Sequence, residues 1–189
     1  MMDLNWMIEK SGLKNLHERI QDGQRLQIEE ALDLYKTPDL NVLGAMANQA
    51  NQKKNGKRAS YILNRYINYS NYCILSCQFC SFSRKKRDSD GFELSLEQMQ
   101  SKAREALTLG ITELHIVGGL HPSLPFSYYT DMLKGLKEVD NSLQLKCFTA
   151  VEILHLAWLS RQSVEDTLRS LKDCGLDSLT GGGAEIFQP

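Results

Sequence analysis

The chain has 189 residues, of which 42% are hydrophobic and 24% are charged, and its formal net charge is −1. This length and composition are ordinary for a soluble globular protein with one core, and the balanced charge gives no sign of a nucleic-acid or membrane surface. No apolar run approaches the roughly 20 residues that cross a bilayer, so the sequence predicts no membrane-spanning helix.

The cysteines and the N-terminus indicate a reducing compartment. The five cysteines are an odd number, and three of them lie too close together for a disulfide framework. The first ten residues carry acidic side chains and lack the apolar core of a secretory signal. We therefore expect reduced thiols and a cytoplasmic setting.

The N-terminal third of the chain predicts helices. Apolar residues recur at helical spacing between positions 5 and 55, and Thr37-Pro38-Asp39 interrupts the run and supplies a helix start. We interpret residues 1–58 as a helical extension, either a lid packed on the next domain or a partner-binding module. Residues 59–189 are then that second domain.

The first predicted strand, residues 61–69, leads directly to three clustered cysteines. Cys73, Cys77 and Cys80 have the spacing C-x3-C-x2-C. Thiolates are soft ligands that select iron–sulfur clusters, zinc or Cu(I), and a structural zinc site requires four protein ligands. Three thiolates on a four-iron cluster would leave one iron open to bind something else. The motif therefore predicts a reactive iron–sulfur cluster rather than a zinc site.

Two further features near the cysteines have ordinary explanations. The basic run Arg84-Lys-Lys-Arg87 follows the motif, and such runs are usually solvated loop faces, the alternative being attraction of an anionic substrate. Cys147 and Cys174 lie within a predicted strand and at a predicted helix end. We interpret both as small buried apolar residues.

Strands and helices alternate through the rest of the chain. Further strands are predicted at 113–117, 143–149 and 177–180, and helices at 95–109, 127–139, 151–159 and 163–174. Ser95 with Gln98, and Ser163 with Asp166, mark two helix starts as capping pairs. This order predicts an α/β protein of parallel βα units, the first four of a closed barrel whose site is built from the loops after the strands.

The loops after these strands carry the candidate site residues. Gly118 and Gly119 expose backbone that a ligand can approach closely, or they form a tight turn. His121 is a candidate proton carrier, or it caps a helix start. Glu152 and Glu185 could each hold a hydroxyl or an amine, or they are ordinary first-turn acids.

Two more candidates lie at the first and fourth strand ends. Asn68 could orient a polar ligand beside the cysteines, or it serves only the turn. Gly182 is the centre of a triple glycine that permits unusual dihedral angles and close approach. The pattern G-x-G-x-x-G is not present, so a dinucleotide-binding turn is not predicted.

Four stretches together resemble one branch of the radical S-adenosylmethionine (SAM) superfamily. They are residues 68–80, 117–129, 148–153 and 177–187. The branch contains aminofutalosine synthases, cyclic dehypoxanthine futalosine synthases and deazaflavin-forming synthases. The strings Gly-Gly-Leu-His-Pro and Phe-Thr-Ala-Val-Glu-Ile are most similar to those of the aminofutalosine synthase family.

The resemblance implies a barrel fold, cofactors and roles for the candidate residues. Cys73, Cys77 and Cys80 would hold a four-iron, four-sulfur cluster. SAM would chelate the open iron, and an external electron donor would drive its cleavage to a 5′-deoxyadenosyl radical. The residues implied to contact SAM are Phe79, Gly118, Gly119, Glu152 and Gly182, and those implied to contact the substrate are Asn68, His121 and Glu185.

The resemblance also implies a reaction. In this family the radical adds to 3-[(1-carboxyvinyl)oxy]benzoate, and the product is 6-amino-6-deoxyfutalosine, an intermediate toward menaquinone. Family members are about twice as long as this chain, so we expect a barrel cut short after about four βα units, with a separate C-terminal half as the candidate partner that completes it. The alternatives are a sibling radical SAM enzyme and an inactive iron–sulfur or scaffold fragment.

Overall fold

The structure is a computed structural model and describes residues 4–182. The chain divides into two compact units, the first ending at Tyr61 and the second beginning at Ile62. No helix in residues 4–182 is long and apolar enough to cross a membrane. The candidate site residues all belong to the second unit.

The first unit is a set of four helices around a small core. The helices are α1 (Leu4–Ser11), α2 (Lys14–Gln21), α3 (Ile28–Lys36) and α4 (Leu40–Asn55). The Asp39 carboxylate accepts a hydrogen bond from the Val42 backbone N–H at 3.1 Å. This cap starts α4 where the sequence predicts the break, because aspartate satisfies an N–H that has no partner within the helix.

The second unit alternates strands and helices around a parallel sheet. Its elements are β1 (Asn64–Ile67), α5 (Leu96–Leu107), β2 (Glu113–Ile116), α6 (Phe126–Val139), β3 (Gln144–Cys147), α7 (Ala150–Ser160) and α8 (Val164–Asp173). The strand order is β1-β2-β3, and both pairings are parallel. The predicted α/β class with parallel βα units is confirmed.

One face of this sheet forms the main core with the helices. Ile67, Ile116 and Cys147 lie in one row across the three strands, and all three are buried. The predicted helix starts at Ser95 and Ser163 are confirmed, because each hydroxyl accepts an N–H from the first turn. Well-capped helices and an apolar row fix the strands, so the loops after them meet at one edge of the sheet.

Three strand predictions are wrong in extent. The third strand covers only Gln144–Cys147, because the backbone leaves the extended conformation at Phe148, which has a φ of 67°. The first strand covers only Asn64–Ile67, because the residues at 61–63 are exposed and the chain after Ile67 turns into the cysteine loop. The fourth strand is a single parallel bridge, Lys146 with Ser178, within the described residues. The Asp177 side chain accepts the Leu145 N–H at 2.7 Å, and this bond replaces a ladder bond that a strand would have made.

Candidate functional site

A cavity of about 340 Å³ lies where the loops after the strands meet. The loop after β1 lines it with Cys73, Cys77, Cys80 and Phe79. The later loops contribute Gly118, Gly119, Thr149, Glu152 and Gly182. Every residue that the sequence assigned to the cluster or to SAM therefore borders one cavity.

The three thiols surround this cavity as free cysteines. Cys77 is exposed, and Cys73 and Cys80 are half-buried. Backbone N–H groups of Ser83 and Phe82 donate hydrogen bonds that lower the pKa of the Cys80 thiol. Within residues 4–182 no three His, Cys, Asp or Glu side chains are already gathered at metal-binding distance. The donor set nevertheless fits a thiolate-bound cluster, because the thiolate is the metal ligand and N–H donors stabilise it.

Glu152 joins the ends of all three strands. Its Oε1 accepts hydrogen bonds from the Tyr69 hydroxyl at 2.7 Å and the Gly118 N–H at 3.1 Å. Its Oε2 accepts the Thr149 N–H at 2.7 Å. Burial raises the pKa of Glu152, although these hydrogen bonds act in the opposite direction. Three donors occupy the carboxylate, so its observed role is to hold the loops around the cavity in fixed positions.

Sequence reasoning missed Tyr69 and Thr149 as partners of Glu152. A signal for Thr149 was present, because Thr149 and Glu152 have the T-x-x-E spacing of a capping box, and the box forms at the start of α7. Tyr69 carried no such signal. Its hydroxyl reaches Glu152 across 83 positions of sequence, and it is buried.

Gly118 and Gly119 are required by the packing of the protein itself. A Cβ atom at Gly118 would lie 2.5 Å from the Tyr69 ring, and one at Gly119 would lie 2.3 Å from the Tyr72 carbonyl oxygen. Real Cβ atoms essentially never lie within 3.0 Å of another heavy atom in this way. The loop after β2 therefore lies directly against the cysteine loop, and both glycines also border the cavity.

His121 does not border the cavity, and its ring is occupied by other protein groups. Its Nδ1 accepts the backbone N–H groups of Ser123 at 3.2 Å and Leu124 at 3.0 Å. The proton is therefore on Nε2, which donates to the Glu93 carboxylate at 2.8 Å. The side chain is fully buried. Of the two interpretations of His121, the structure favours the cap over a substrate contact, because the ring accepts N–H groups of the loop before α6.

The other two predicted substrate contacts have different outcomes. The Asn68 side chain donates to the Val117 carbonyl oxygen at 2.9 Å and ties the ends of β1 and β2 together. It is not among the residues that border the cavity, so the structure favours its turn role over contact with a ligand there. Glu185 lies outside the described residues.

The buried ring of His121 predicts a pH-dependent stability. Burial lowers the pKa of His121, although the Glu93 carboxylate acts in the opposite direction. The unfolded chain takes up a proton near pH 6.5 while the folded chain does not. The free energy of unfolding should therefore fall as the pH drops below about 6.5, by about 1.4 kcal/mol for each pKa unit that separates the two states.

Urea unfolding of the wild type and of His121→Gln at pH 7.5 and pH 5.5 measures this effect. The variant should lose part of the pH dependence. The variant should keep the part of the pH dependence that comes from His115, whose pKa is also lowered by burial. An equal pH dependence in both proteins would contradict the prediction.

A family model and several known proteins match this chain. The family described as the radical SAM superfamily matches residues 67–185. An aminodeoxyfutalosine synthase of Streptomyces coelicolor is 43% identical over 178 residues, which are 94% of this chain and 46% of the relative. A cyclic dehypoxanthine futalosine synthase of Halalkalibacterium halodurans is 38% identical over 171 residues, which are 90% of this chain and 46% of the relative.

Solved structures show the same fold. The FeFe-hydrogenase maturase HydG from Carboxydothermus hydrogenoformans matches with a TM-score of 0.59 at 20% identity. The match covers 93% of this chain and 49% of that chain. The chain thus spans about half the length of the curated relatives it matches.

Proposed function

The chain belongs to the radical SAM superfamily, whose members use a four-iron, four-sulfur cluster and SAM, and on that premise we propose that the cavity after β1 is the cofactor site. Cys73, Cys77 and Cys80 would bind the cluster. The observation that carries this proposal is that three thiols from one loop border a single cavity with the bare backbone of Gly118 and Gly119.

SAM would occupy the part of the cavity beside the glycines. The bordering residues Phe79, Gly118, Gly119, Glu152 and Gly182 are the candidates to contact it. When bound, the cluster and SAM together supply a 5′-deoxyadenosyl radical. The chain's own contribution is to hold the thiolates, to fix the loops through Glu152 and Tyr69, and to keep the cofactors apart from bulk water.

For the reaction, we propose the synthesis of 6-amino-6-deoxyfutalosine from SAM and 3-[(1-carboxyvinyl)oxy]benzoate. The support is the 43% identity to an enzyme named aminodeoxyfutalosine synthase over nearly the whole of this chain. A second candidate is the reaction of the sibling named cyclic dehypoxanthine futalosine synthase, because this chain is 38% identical to that enzyme, compared with 43% for the first. In either case an external one-electron donor is required.

Anaerobic reconstitution of the chain with iron and sulfide tests the proposal. We expect about four iron atoms per chain, from the cluster type, and cleavage of SAM to methionine and 5′-deoxyadenosine after reduction with dithionite. Addition of the enol-ether benzoate should then divert the 5′-deoxyadenosyl radical into a new adduct, detected by mass, and less 5′-deoxyadenosine should form. Zinc binding in place of iron would contradict the cluster assignment. SAM cleavage that the benzoate leaves unchanged would contradict the proposed substrate.

A further inference from the structure

The basic run after the cysteines lies against both ends of the cysteine loop. The Arg84 guanidinium donates to the carbonyl oxygens of Ser81 at 2.8 Å and Ser83 at 3.0 Å, just beyond the last cysteine. The cysteine loop is the segment of residues 73–80. The Lys85 ammonium donates to the carbonyl oxygens of its first three residues, Cys73, Ile74 and Leu75, at 2.9, 3.2 and 2.7 Å. Neither side chain is the solvated loop cation that the sequence suggests.

The Lys85 contacts use the full hydrogen-bonding capacity of the side chain. An ammonium group has three donors and no acceptor, and each donor has one carbonyl partner. Three consecutive carbonyl dipoles that converge on one point repel each other, and a cation at that point converts the repulsion into attraction. Lys85 is half-buried, so solvent screens these contacts only in part. With all three donors engaged, Lys85 is not available to attract an anionic substrate.

Backbone contacts hold the same segment from other sides. The Cys73 N–H donates to the Arg84 carbonyl oxygen at 3.0 Å, and the Ile74 N–H donates to the Leu120 carbonyl oxygen at 2.9 Å. These bonds fix where the loop begins, and within residues 4–182 the carbonyls of residues 73–75 have the Lys85 ammonium as their hydrogen-bond donor. We therefore expect the direction in which the chain leaves Leu75 toward Cys77 to depend on the Lys85 ammonium.

We propose that Lys85 is a positioning residue for the cluster: its ammonium gathers the carbonyls of residues 73–75 and so sets the separation and direction of Cys73 and Cys77. This inference rests on the proposed function of the cysteine loop. Lys85 touches backbone oxygens rather than the thiols, so it acts through the loop. It also places one fixed positive charge beside a group whose reduction potential depends on local charge.

The first test uses the metal-free 189-residue chain and needs no cofactor. In Lys85→Met, hydrogen exchange of the Cys73 and Ile74 amides should be about tenfold faster or more, the size expected for lost hydrogen bonds to a charged group. Exchange in α6 should not change. Arg87→Gln, which removes an exposed charge of the same run, is the matched control and should exchange as the wild type does.

The second test uses the reconstituted chain. Lys85→Met should release iron to a chelator several-fold faster than the wild type, and its cluster should have a lower midpoint potential, whereas Arg87→Gln should match the wild type in iron release. Lys85→Arg, which keeps the charge, should restore iron retention in part. A merely structural residue would not move the potential.

The outcomes separate this inference from the proposed function. Equal exchange at residues 73 and 74 in Lys85→Met and wild type would overturn the role of Lys85. A wild-type chain that takes up no iron would overturn the proposed function, while the exchange data still decide the role of Lys85. Faster exchange in α6 of Lys85→Met would mean that this variant is destabilised as a whole. Lys85→Gln, which keeps a neutral donor, then replaces it: faster exchange at residues 73 and 74 with unchanged exchange in α6 supports the role of Lys85, and exchange equal to the wild type at residues 73 and 74 overturns it.

Discussion

Replacing Cys77 by alanine should abolish the binding of an intact cluster by the reconstituted chain. Cys77 is the exposed member of the three thiols that border the cavity. In the wild type, three of the four irons each have one cysteine ligand and one iron is open. With only two thiolates, a second iron would depend on water or buffer for its ligand, and we expect the cluster to be lost. We expect loss of the visible thiolate-to-iron charge-transfer absorbance and a fall in bound iron to background.

Cys174→Ala is the matched control for this substitution. Cys174 is half-buried and packs against the core of the second unit, and it does not border the cavity. Its loss should leave iron content and absorbance unchanged. Circular dichroism should show that both variants keep the wild-type fold in the metal-free state. Full iron content in Cys77→Ala would remove this loop from the proposed site.

Gly119→Ala should disrupt the cysteine loop before any cofactor is added. The new Cβ would lie 2.3 Å from the Tyr72 carbonyl oxygen and 2.9 Å from the Cys73 Cβ. These are atoms of the neighbouring loop's backbone and of its first cysteine, so no flexible side chain can move aside. Overpacking of this kind costs about 1–3 kcal/mol, and more where the backbone must shift. Thermal or urea unfolding of the metal-free chain measures the loss, and iron uptake should fall with it.

Gly44→Ala provides the matched control, because it adds the same methyl group in open space. Gly44 lies within α4, and a Cβ there meets no atom within 4 Å. Alanine in a helix is more favourable than glycine by about 0.5–1 kcal/mol. Gly44→Ala should therefore be neutral or slightly stabilising. If Gly119→Ala keeps wild-type stability and loses only SAM affinity, the glycine acts on the cofactor and its packing contact is not limiting.

Local features of the sequence predicted local features of the structure. The capping pairs at Ser95 and Ser163 start helices where their spacing indicates, because a cap and its N–H partner are three residues apart. The cysteine motif is equally local, since its three thiols lie within eight positions. The alternation of strands and helices gave the parallel sheet, because a parallel strand pair requires a crossover. Strand ends were less predictable, as the single bridge at Ser178 shows.

The roles of the side chains around the cavity depended on contacts between distant parts of the chain. Tyr69 meets Glu152 only because β1, β2 and β3 pair in register, and nothing near Tyr69 in sequence indicates that partner. The same holds for His121, because nothing in the sequence indicates that its Nε2 donates a hydrogen bond to the Glu93 carboxylate.

Lys85 shows the difference between what the sequence determines and what the tertiary structure determines. The sequence determined by itself that a thiolate loop follows the first strand and that a basic run follows the loop. Only the tertiary structure decided that this run turns back and that the Lys85 ammonium is bound by the carbonyls of residues 73–75. The physical reason is that backbone carbonyls carry no sequence signature: every residue has one, and only the folded path of the chain brings three of them to one point.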